Sequence, residues 1–323
     1  RRENSMWKTV LRRFLLMIPQ LIILSILVFI LAKLMPGDPF TGQITPTTDP
    51  NQIEALRRKF GFYDPWYQQY WRWITNMFNG DFGTSYGYKM PVSTLLGQRV
   101  GNTFWLSLLC VTFLYAAALP LGIFSGRYSG SKFDKAVTLY NFVTYAIPGF
   151  IFYLLMILLF AYTLHWFPAS DSVDPGVTGF AYVISRLRHM ILPALCYTLI
   201  ATTAIVQYLR NEVIDAKGSD YVRTARSKGV PIDKVYTHHI FRNSLLPIAA
   251  FFGFTLTGLI SGSVFMETIF GYPGMGKLFI EAIQSRDYSV LTALIMIFGF
   301  MTLLGSLLSD IIMSIVDPRI RIE

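Results

Sequence analysis

The chain has 323 residues, of which 53% are hydrophobic and 15% are charged, and its mean hydropathy is +0.45. Ordinary soluble domains carry about 25% charged residues, so this composition excludes a typical soluble globular protein. The formal net charge of +9 is divided among several segments that flank apolar runs, so it does not indicate a nucleic-acid-binding surface. The two cysteines, Cys110 and Cys196, lie inside apolar runs and imply no disulfide framework.

Long runs without Asp, Glu, Lys or Arg predict transmembrane helices, because about 20 apolar residues cross the hydrocarbon core of a bilayer. Six such runs occur, at residues 14–32, 104–124, 136–164, 190–209, 244–266 and 288–309. We therefore predict an all-α membrane protein with six transmembrane helices. Its predicted parts are a first segment with one helix (1–35), a sizeable outer segment (36–102) and a five-helix core (103–323).

The distribution of Lys and Arg predicts how the helices are oriented, since cytoplasmic loops carry an excess of these residues. Seventeen of the 28 lie in the N-terminal segment, the turn after the second run, residues 210–242 and the C-terminal tail. Ten lie in the alternate connections. Both termini are therefore predicted to be cytoplasmic, and the first run, which no small-residue cleavage pattern follows, is predicted to be a retained helix.

The outer segment contains two stretches that predict short helices, residues 53–60 and 66–78. The second is strongly aromatic, with Trp66, Tyr67, Tyr70, Trp71 and Trp73. Such a helix is typical of the headgroup level of a membrane. The alternative, a small cap that contacts an external protein, stays open.

Polar side chains and helix breakers occur within several spans, where they favour a cavity or contacts between helices. The candidates for a translocation path are Asn141, Tyr145, Thr202 and Gln207. Each of them could equally form a hydrogen bond between helices. The spacing of Gly258 and Gly262 permits close helix packing.

A polar, basic stretch of roughly thirty residues separates the fourth and fifth runs, which is far more than a connection needs. From residue 210 to 242 it carries seven Lys or Arg against four acids. Helix formers at 221–228 are followed by Gly229, and Pro231 suits the start of another helix. We predict a helix, a glycine turn and a second helix at the membrane surface, forming a cytoplasmic coupling loop at residues 210–243.

Two features raise enzyme or cofactor alternatives. Residues 271–277 fit the phosphate-loop spacing G-x-x-x-x-G-K, but Leu278 replaces the required Ser or Thr and no strand precedes them. His238 and His239 have neither an acid pair nor metal-ligand spacing beside them. The sequence therefore predicts no catalytic, cofactor-binding or metal site in this chain.

Five motifs carry a resemblance that covers nearly the whole chain. They are DYVRTARSKG (220–229), HIFRNSLLP (239–247), LMPGDP (34–39), FMETIFGYPGMG (265–276) and DPRIR (317–321). Together they resemble the ABC-importer permeases of the dipeptide/oligopeptide branch, and within it the first (B-type) oligopeptide permease subunit. The general family form has Glu-Ala-Ala where this chain has Thr224-Ala225-Arg226, so a role that rests on that glutamate does not carry over.

The resemblance implies the type I ABC-importer permease fold in a bacterial or archaeal cytoplasmic membrane. It implies as partners a homologous second permease, two ATPase subunits that bind ATP and Mg²⁺, an external peptide-binding protein and membrane lipid. This chain would then be no enzyme itself. The residues expected to couple it to the ATPases through the loop 220–247 are Tyr221, Arg223, Ala225, Lys228 and Gly229, with Arg242 and Asn243 fixing the base of the loop.

Two alternatives to peptide import remain. Nickel and sugar oligomers are substrates of other members of the same branch. An ion-coupled secondary transporter is the competing class, and it normally places ionisable groups near the bilayer midplane. The middle of all six runs lacks Asp, Glu, Lys, Arg and His, which argues against proton coupling.

Overall fold

The computed structural model describes residues 2–35, 50–59 and 61–316, and within these ranges the chain is helical and forms no strand. The helices are α1 (Arg2–Leu34), α2 (Pro50–Lys59), α3 (Trp66–Phe78), α4 (Val92–Arg127), α5 (Lys132–Ala146), α6 (Gly149–Ile157), α7 (Gly179–Lys217), α8 (Asp220–Ser227), α9 (Ile232–Lys234), α10 (Phe241–Ser244), α11 (Leu246–Ser261), α12 (Val264–Ile269), α13 (Met275–Ser285) and α14 (Tyr288–Val316). Wider π-helical turns continue α6 (Leu158–Thr163) and join α9 to α10 (Val235–Ile240).

Five helical segments of the described chain are long and apolar enough to cross a membrane. They are Val10–Leu34, Val92–Arg127, Gly179–Lys217, Phe251–Ile269 and Tyr288–Ile315. A sixth span exists if the pair Lys132–Ala146 and Gly149–Thr163 is counted as one. The prediction of an all-α membrane protein is confirmed, and the third predicted span takes the form of this bent pair.

The two halves of the bent pair meet at 94°. The break follows from Pro148, because a residue before proline is driven out of the α-helical region. Ile147 accordingly has an extended backbone, with φ −92° and ψ 120°. The charge-free run from 136 to 164 therefore contains two helical directions where its composition alone suggested one.

Helices α4 and α7 form the central pair of the bundle, and small residues let their backbones approach. A Cβ atom at Gly122 would lie 2.9 Å from the Leu209 Cβ, and one at Gly126 would lie 2.6 Å from the Val213 Cβ. Both glycines are buried on the α7 side of α4. The last two turns of α4 are therefore fixed against the part of α7 that leads out of the bundle.

Helices α11 and α14 form a second close pair, and its contact glycine is Gly253. A Cβ atom there would clash with the Ser309 backbone nitrogen and lie 2.7 Å from the Gly305 carbonyl oxygen. Gly258, whose spacing suggested helix packing, has no atom within 4 Å of such a Cβ inside the chain. Gly262 ends α11 with a φ of +67°, so its role is a helix break.

The bundle has two distinct ends. At one end α4, α7 and α14 finish, α11 begins, and Arg13 of α1 pairs with Asp310 of α14 at 3.2 Å. We call this the docking end, because residues 218–244 lie there. At the opposite end, which we call the far end, α4 and α14 begin and α3 packs on α1.

The contrast between Gly253 and Gly258 gives a stability prediction. Gly253→Ala should lower the free energy of unfolding by about 1–3 kcal/mol, because the new methyl group overpacks α11 against the α14 backbone. Gly258→Ala is the matched control, and it should leave stability unchanged or raise it by up to about 1 kcal/mol, since alanine is the better helix former. Thermal unfolding of the purified variants in detergent measures both, and equal midpoints for the two variants would contradict the packing assignment.

Candidate functional site

The docking segment, residues 218–244, folds back onto the membrane core. Helix α8 places Val222 and Ala225 on one face, as residues three apart on a helix do. Their side chains are only 1% and 6% exposed. They form a buried apolar cluster with Leu209 and Val213 of α7 and with Val235 and Ile240. The last two belong to the second arm of the docking segment, residues 231–244, which follows the turn after α8. The docking segment therefore shares a core with the end of α7.

The turn after α8 is a Schellman motif that depends on Gly229. The Gly229 N–H donates to the Arg226 carbonyl at 2.9 Å, and the Val230 N–H donates to the Ala225 carbonyl at 3.2 Å. Gly229 has a φ of +73°, which only glycine adopts without strain. The predicted helix, glycine turn and second helix are therefore all present in the structure.

The residues predicted to couple this chain to an ATPase fall into three positions. Tyr221 and Arg223 on α8 and Lys228, which caps its C-terminal end, are exposed, whereas Ala225 faces the chain's own core. Asn243 is exposed, and its Nδ2 donates to the His239 carbonyl at 2.8 Å within the second arm. The side chain of Arg242 lies outside the described part of the chain. The structure thus presents an outer face with aromatic and basic side chains, and their predicted role in coupling stays a prediction.

A buried ion pair anchors the helices beneath the docking segment. The Asp134 carboxylate of α5 accepts from the Arg210 Nε at 2.6 Å and from its Nη2 at 2.8 Å. It also accepts from the Ser125 hydroxyl and from the Gly130 N–H. A two-pronged arginine–carboxylate contact fixes direction as well as distance. The ends of α4, α5 and α7 are therefore held as one unit.

A second contact joins this unit to the docking segment itself. Arg127 at the end of α4 pairs with Asp233 at 2.5 Å, and its guanidinium lies 4.7 Å from the centre of the Tyr236 ring. The Lys217 ammonium donates to the Arg127 carbonyl at 2.8 Å. Since Asp233 and Tyr236 belong to the second arm of the docking segment, these contacts link that arm to the end of α4.

The candidate translocation residues differ in burial and in their contacts, and their role in a path stays a prediction. Tyr145 is 81% exposed, near the break between α5 and α6. Asn141 is buried, and neither of its amide atoms has a partner among the described residues. The Thr202 hydroxyl lies 3.0 Å from the Tyr140 hydroxyl, which joins α5 to α7. Gln207 is half-buried on α7.

Sequence reasoning missed the central polar contact of the far end, which is formed by Glu267. This carboxylate is fully buried and accepts from the Thr103 hydroxyl at 2.8 Å, from the Gly276 N–H at 2.7 Å and from the Lys277 N–H at 3.2 Å. The Thr103 oxygen in turn accepts from the Met275 N–H at 2.7 Å. The available signal was a lone acid directly after the charge-free run 244–266.

The same contact explains the phosphate-loop spacing at residues 271–277. In a phosphate loop, backbone N–H groups surround the anion. Here the Gly276 and Lys277 N–H groups point at the carboxylate of Glu267, and the Lys277 ammonium donates to the Gly271 carbonyl at 3.1 Å. The spacing therefore describes a loop that is folded around a side chain of the same protein.

A third buried acid, Asp287, ties the segment before α4 to the start of α14. It accepts from the Ser85 hydroxyl at 2.5 Å and from the Gly87 N–H at 3.0 Å. Nearby, the Tyr88 hydroxyl donates to the Glu281 carboxylate at 2.6 Å. Burial, with the hydrogen bond to Glu281 as the next cause, raises the pKa of Tyr88, so Tyr88 stays a neutral donor to Glu281 at physiological pH.

The arrangement of possible metal ligands agrees with no metal-binding geometry in the described residues. Over the described ranges, no three His, Cys, Asp or Glu side chains come together in a way that would hold a metal ion. His189 illustrates why. Its Nδ1 lies 2.8 Å from the Ser185 carbonyl, one turn earlier in α7, and the nearest acid to its Nε2 is Asp174 at 3.9 Å.

Comparison with known proteins gives matches along almost the whole chain. The family described as "Binding-protein-dependent transport system inner membrane component" matches residues 118–322, and its N-terminal companion matches residues 6–106. The chain is 38% identical over 313 residues to the oligopeptide transport system permease protein AppB of Bacillus subtilis (strain 168), covering 97% of this chain and 98% of that protein.

Two further relatives are similar over comparable lengths. A putative peptide transport system permease protein of Brucella abortus (strain 2308) is 33% identical, over 97% of this chain and 99% of its own length. The oligopeptide transport system permease protein OppB of Haemophilus influenzae is 31% identical, over 98% of this chain and 100% of its own length. All three are full-length matches, so the similarity is not confined to one part of the chain.

The far-end contact predicts a large effect for Glu267→Gln. The variant replaces the carboxylate, which accepts from two backbone N–H groups and a hydroxyl, with a neutral amide. The charge-assisted hydrogen bonds are thereby weakened, and hydrogen bonds to a charged group contribute about 1.5–3 kcal/mol. We expect the free energy of unfolding to fall by that amount. Glu281→Gln is the control from the same corner. Its half-exposed ion pairs contribute only about 0–1 kcal/mol, and the amide oxygen of glutamine keeps an acceptor for the Tyr88 hydroxyl. Thermal unfolding in detergent ranks the two, and an equal loss would contradict the assignment.

Proposed function

Since this chain belongs to the family of binding-protein-dependent transport system inner membrane components, we propose that it is the pore-forming permease subunit of an ATP-driven peptide importer. The similarity to oligopeptide and peptide transport system permeases supports peptides as the substrate class. The observation that carries the proposal is the docking segment, which is built into the bundle on one side and exposes an aromatic and basic face on the other.

The outer face of α8 is proposed to contact an ATPase subunit. Tyr221, Arg223 and Lys228 make that contact, and Ala225 supports it by holding α8 to the core. Gly229 sets the angle between the two arms of the docking segment, and Arg242 and Asn243 fix its base. Among the residues that the structure describes, Arg223 pairs only with Asp220, at 3.9 Å and with both side chains exposed, which leaves its guanidinium available to a partner.

The proposed mechanism is alternating access driven from the docking end. ATP closes a pair of ATPase subunits, and this motion moves the docking segments as rigid bodies. The contacts of Arg127 with Asp233 and of Arg210 with Asp134 carry the motion into α4, α5 and α7. The pore then opens to the outside, where an external binding protein delivers the substrate, and hydrolysis resets it.

This assignment divides the chemistry among several subunits. ATP and Mg²⁺ are bound by the ATPases, so the chain itself is no enzyme and needs no cofactor. Both termini and the docking end face the cytoplasm in this proposal, and the outer segment (36–102) faces the binding protein. A homologous second permease completes the pore, and Tyr145, exposed beside the helix break, is placed to face it or the substrate.

The subunit composition tests this proposal directly. Purification of the chain from its native membrane in a mild detergent should recover a second six-span permease and two ATPase subunits, identified by mass. Uptake of a radiolabelled short peptide by the reconstituted complex should then depend on ATP, and unlabelled short peptides should compete with it. Competition by nickel or by sugar oligomers, and not by peptides, would show that one of these is the substrate class. A lone chain or homodimer with ion-dependent uptake would overturn the importer assignment.

The turn at Gly229 generates a coupling prediction. Gly229→Val forces a β-branched residue into a positive φ, although no atom lies within 4 Å of the new Cβ. We expect normal insertion and assembly, continued ATP hydrolysis and a loss of uptake.

Gly176→Val is the matched control for that experiment. Gly176 also has a positive φ, +79°, and open space around its Cβ, but it lies in the connection between α6 and α7, away from the docking segment. The control should therefore suffer a similar backbone strain while uptake remains coupled to hydrolysis. Uptake by Gly229→Val at the wild-type level would remove Gly229 from the coupling path, and equal losses in both variants would show a general strain effect.

A further inference from the structure

Helix α3 packs against α1 well below the far end of that helix. The Tyr70 hydroxyl lies 2.7 Å from the Ser25 hydroxyl, and the Trp73 ring centre lies 5.9 Å from that of Phe29. A helical rise of about 1.5 Å per residue places Ser25 roughly 13 Å before Leu34, where the apolar span ends. Helix α3 therefore lies at the level of the lipid and not above it.

The outward face of α3 continues the lipid-facing surface of α1. Trp66, Trp71 and Phe78 of α3 are highly exposed, as are Ile22 and Ile26 of α1 beside the contact. Helix α3 carries no acidic residue. Aromatic side chains of this kind concentrate where hydrocarbon meets headgroups, so the membrane itself is the surface that α3 fits.

A cavity of about 520 Å³ lies between α1, α3 and the start of α14. Its lining includes the aromatic rings of Phe29, Phe62 and Trp73, the cationic side chains of Lys33 and Arg72, and several hydroxyl groups such as that of Thr292. One acid, Asp81, also lines the cavity, and its carboxylate accepts from the Gly83 N–H at 2.9 Å. This combination of apolar wall and cationic groups matches a phosphate diester that carries acyl chains. A free peptide or a protein loop would have to bury its polar backbone at the depth of the lipid, which a phospholipid does not.

Lys33 supplies the principal charge of this cavity. Its ammonium lies 5.3 Å from the centre of the Phe62 ring and 5.9 Å from that of Phe29, and it donates to the Gln69 side chain. An ammonium has three donors, and within the described ranges only Gln69 accepts from it. No acid pairs with Lys33 in those ranges, whereas Arg72 is paired with Asp64 at 2.6 Å.

We propose that this cavity binds the headgroup phosphate of one phospholipid from the far-end leaflet. The Lys33 ammonium donates to the phosphate, with Arg72 adding positive potential, and the acyl chains run along the exposed face of α1. The bound lipid fixes α3 against the bundle. This site is independent of the substrate and of the ATPases, so its test does not depend on the proposed function.

Native mass spectrometry of the purified complex tests the site, because only intact assemblies are mass-selected and unfolded protein does not contribute. The wild type should retain one phospholipid through detergent washing. Lys33→Gln should lower that occupancy about tenfold, since it removes a charged donor. Ala32→Phe should lower it as well by filling the cavity while leaving Lys33 in place.

Lys135→Gln serves as the control, because Lys135 is an exposed lysine near the docking end. It should retain the phospholipid at the wild-type level. A wild type without bound phospholipid, equal retention in all four proteins, or an added mass that corresponds only to a phosphate ion would each overturn the proposal.

Discussion

The hydrogen bond from a backbone N–H to a buried carboxylate is the interaction on which this bundle depends. Three acids are buried among the described residues, Asp134, Glu267 and Asp287. Each lies where the chain turns between helices, and each accepts at least one backbone N–H from that turn or from a neighbouring one. Near a membrane an unpaired amide costs several kcal/mol. A buried acid at a turn accepts from backbone N–H groups that water does not reach, and it thereby stabilises a sharp change in the direction of the chain.

The distribution of charge separates the two ends of the molecule from its middle. Arginine–carboxylate pairs hold the docking end together, and carboxylate–amide contacts hold the far end. Between them the described polar contacts of the spans are mainly hydroxyl groups, such as Thr144 with Thr203 at 2.5 Å. Such contacts hold helices side by side at modest cost. Charged contacts are therefore concentrated at the two ends of the bundle, and neutral hydroxyl contacts join the helices between them.

Apolar runs and helix-breaking residues in the sequence were sufficient to predict most of the helices, but not the contacts that the helices make with one another. The charge-free runs predicted the spans, and Gly229 with its flanking helix formers predicted the turn that the structure shows. The burial of Ala225 required knowledge of how α8 rotates against α7, which the eight-residue helix does not reveal alone. Glu267 was missed because its partner Thr103 is 164 residues away. The 94° bend was not predicted, because Pro148 marks a break in the helix but does not determine its angle.

The same sequence separations set an order of events during synthesis. Asp134 meets Arg210 after 76 residues, whereas Thr103 must wait for Glu267 and Ser85 must wait for Asp287, 202 residues later. A chain emerging from the ribosome with its N-terminus first therefore completes the brace under the docking segment before either contact of the opposite corner. Until α12 and α14 insert, the hydroxyls of Thr103 and Ser85 lack their native acceptors. The far end of the bundle is thus the last part to complete its polar contacts during biogenesis.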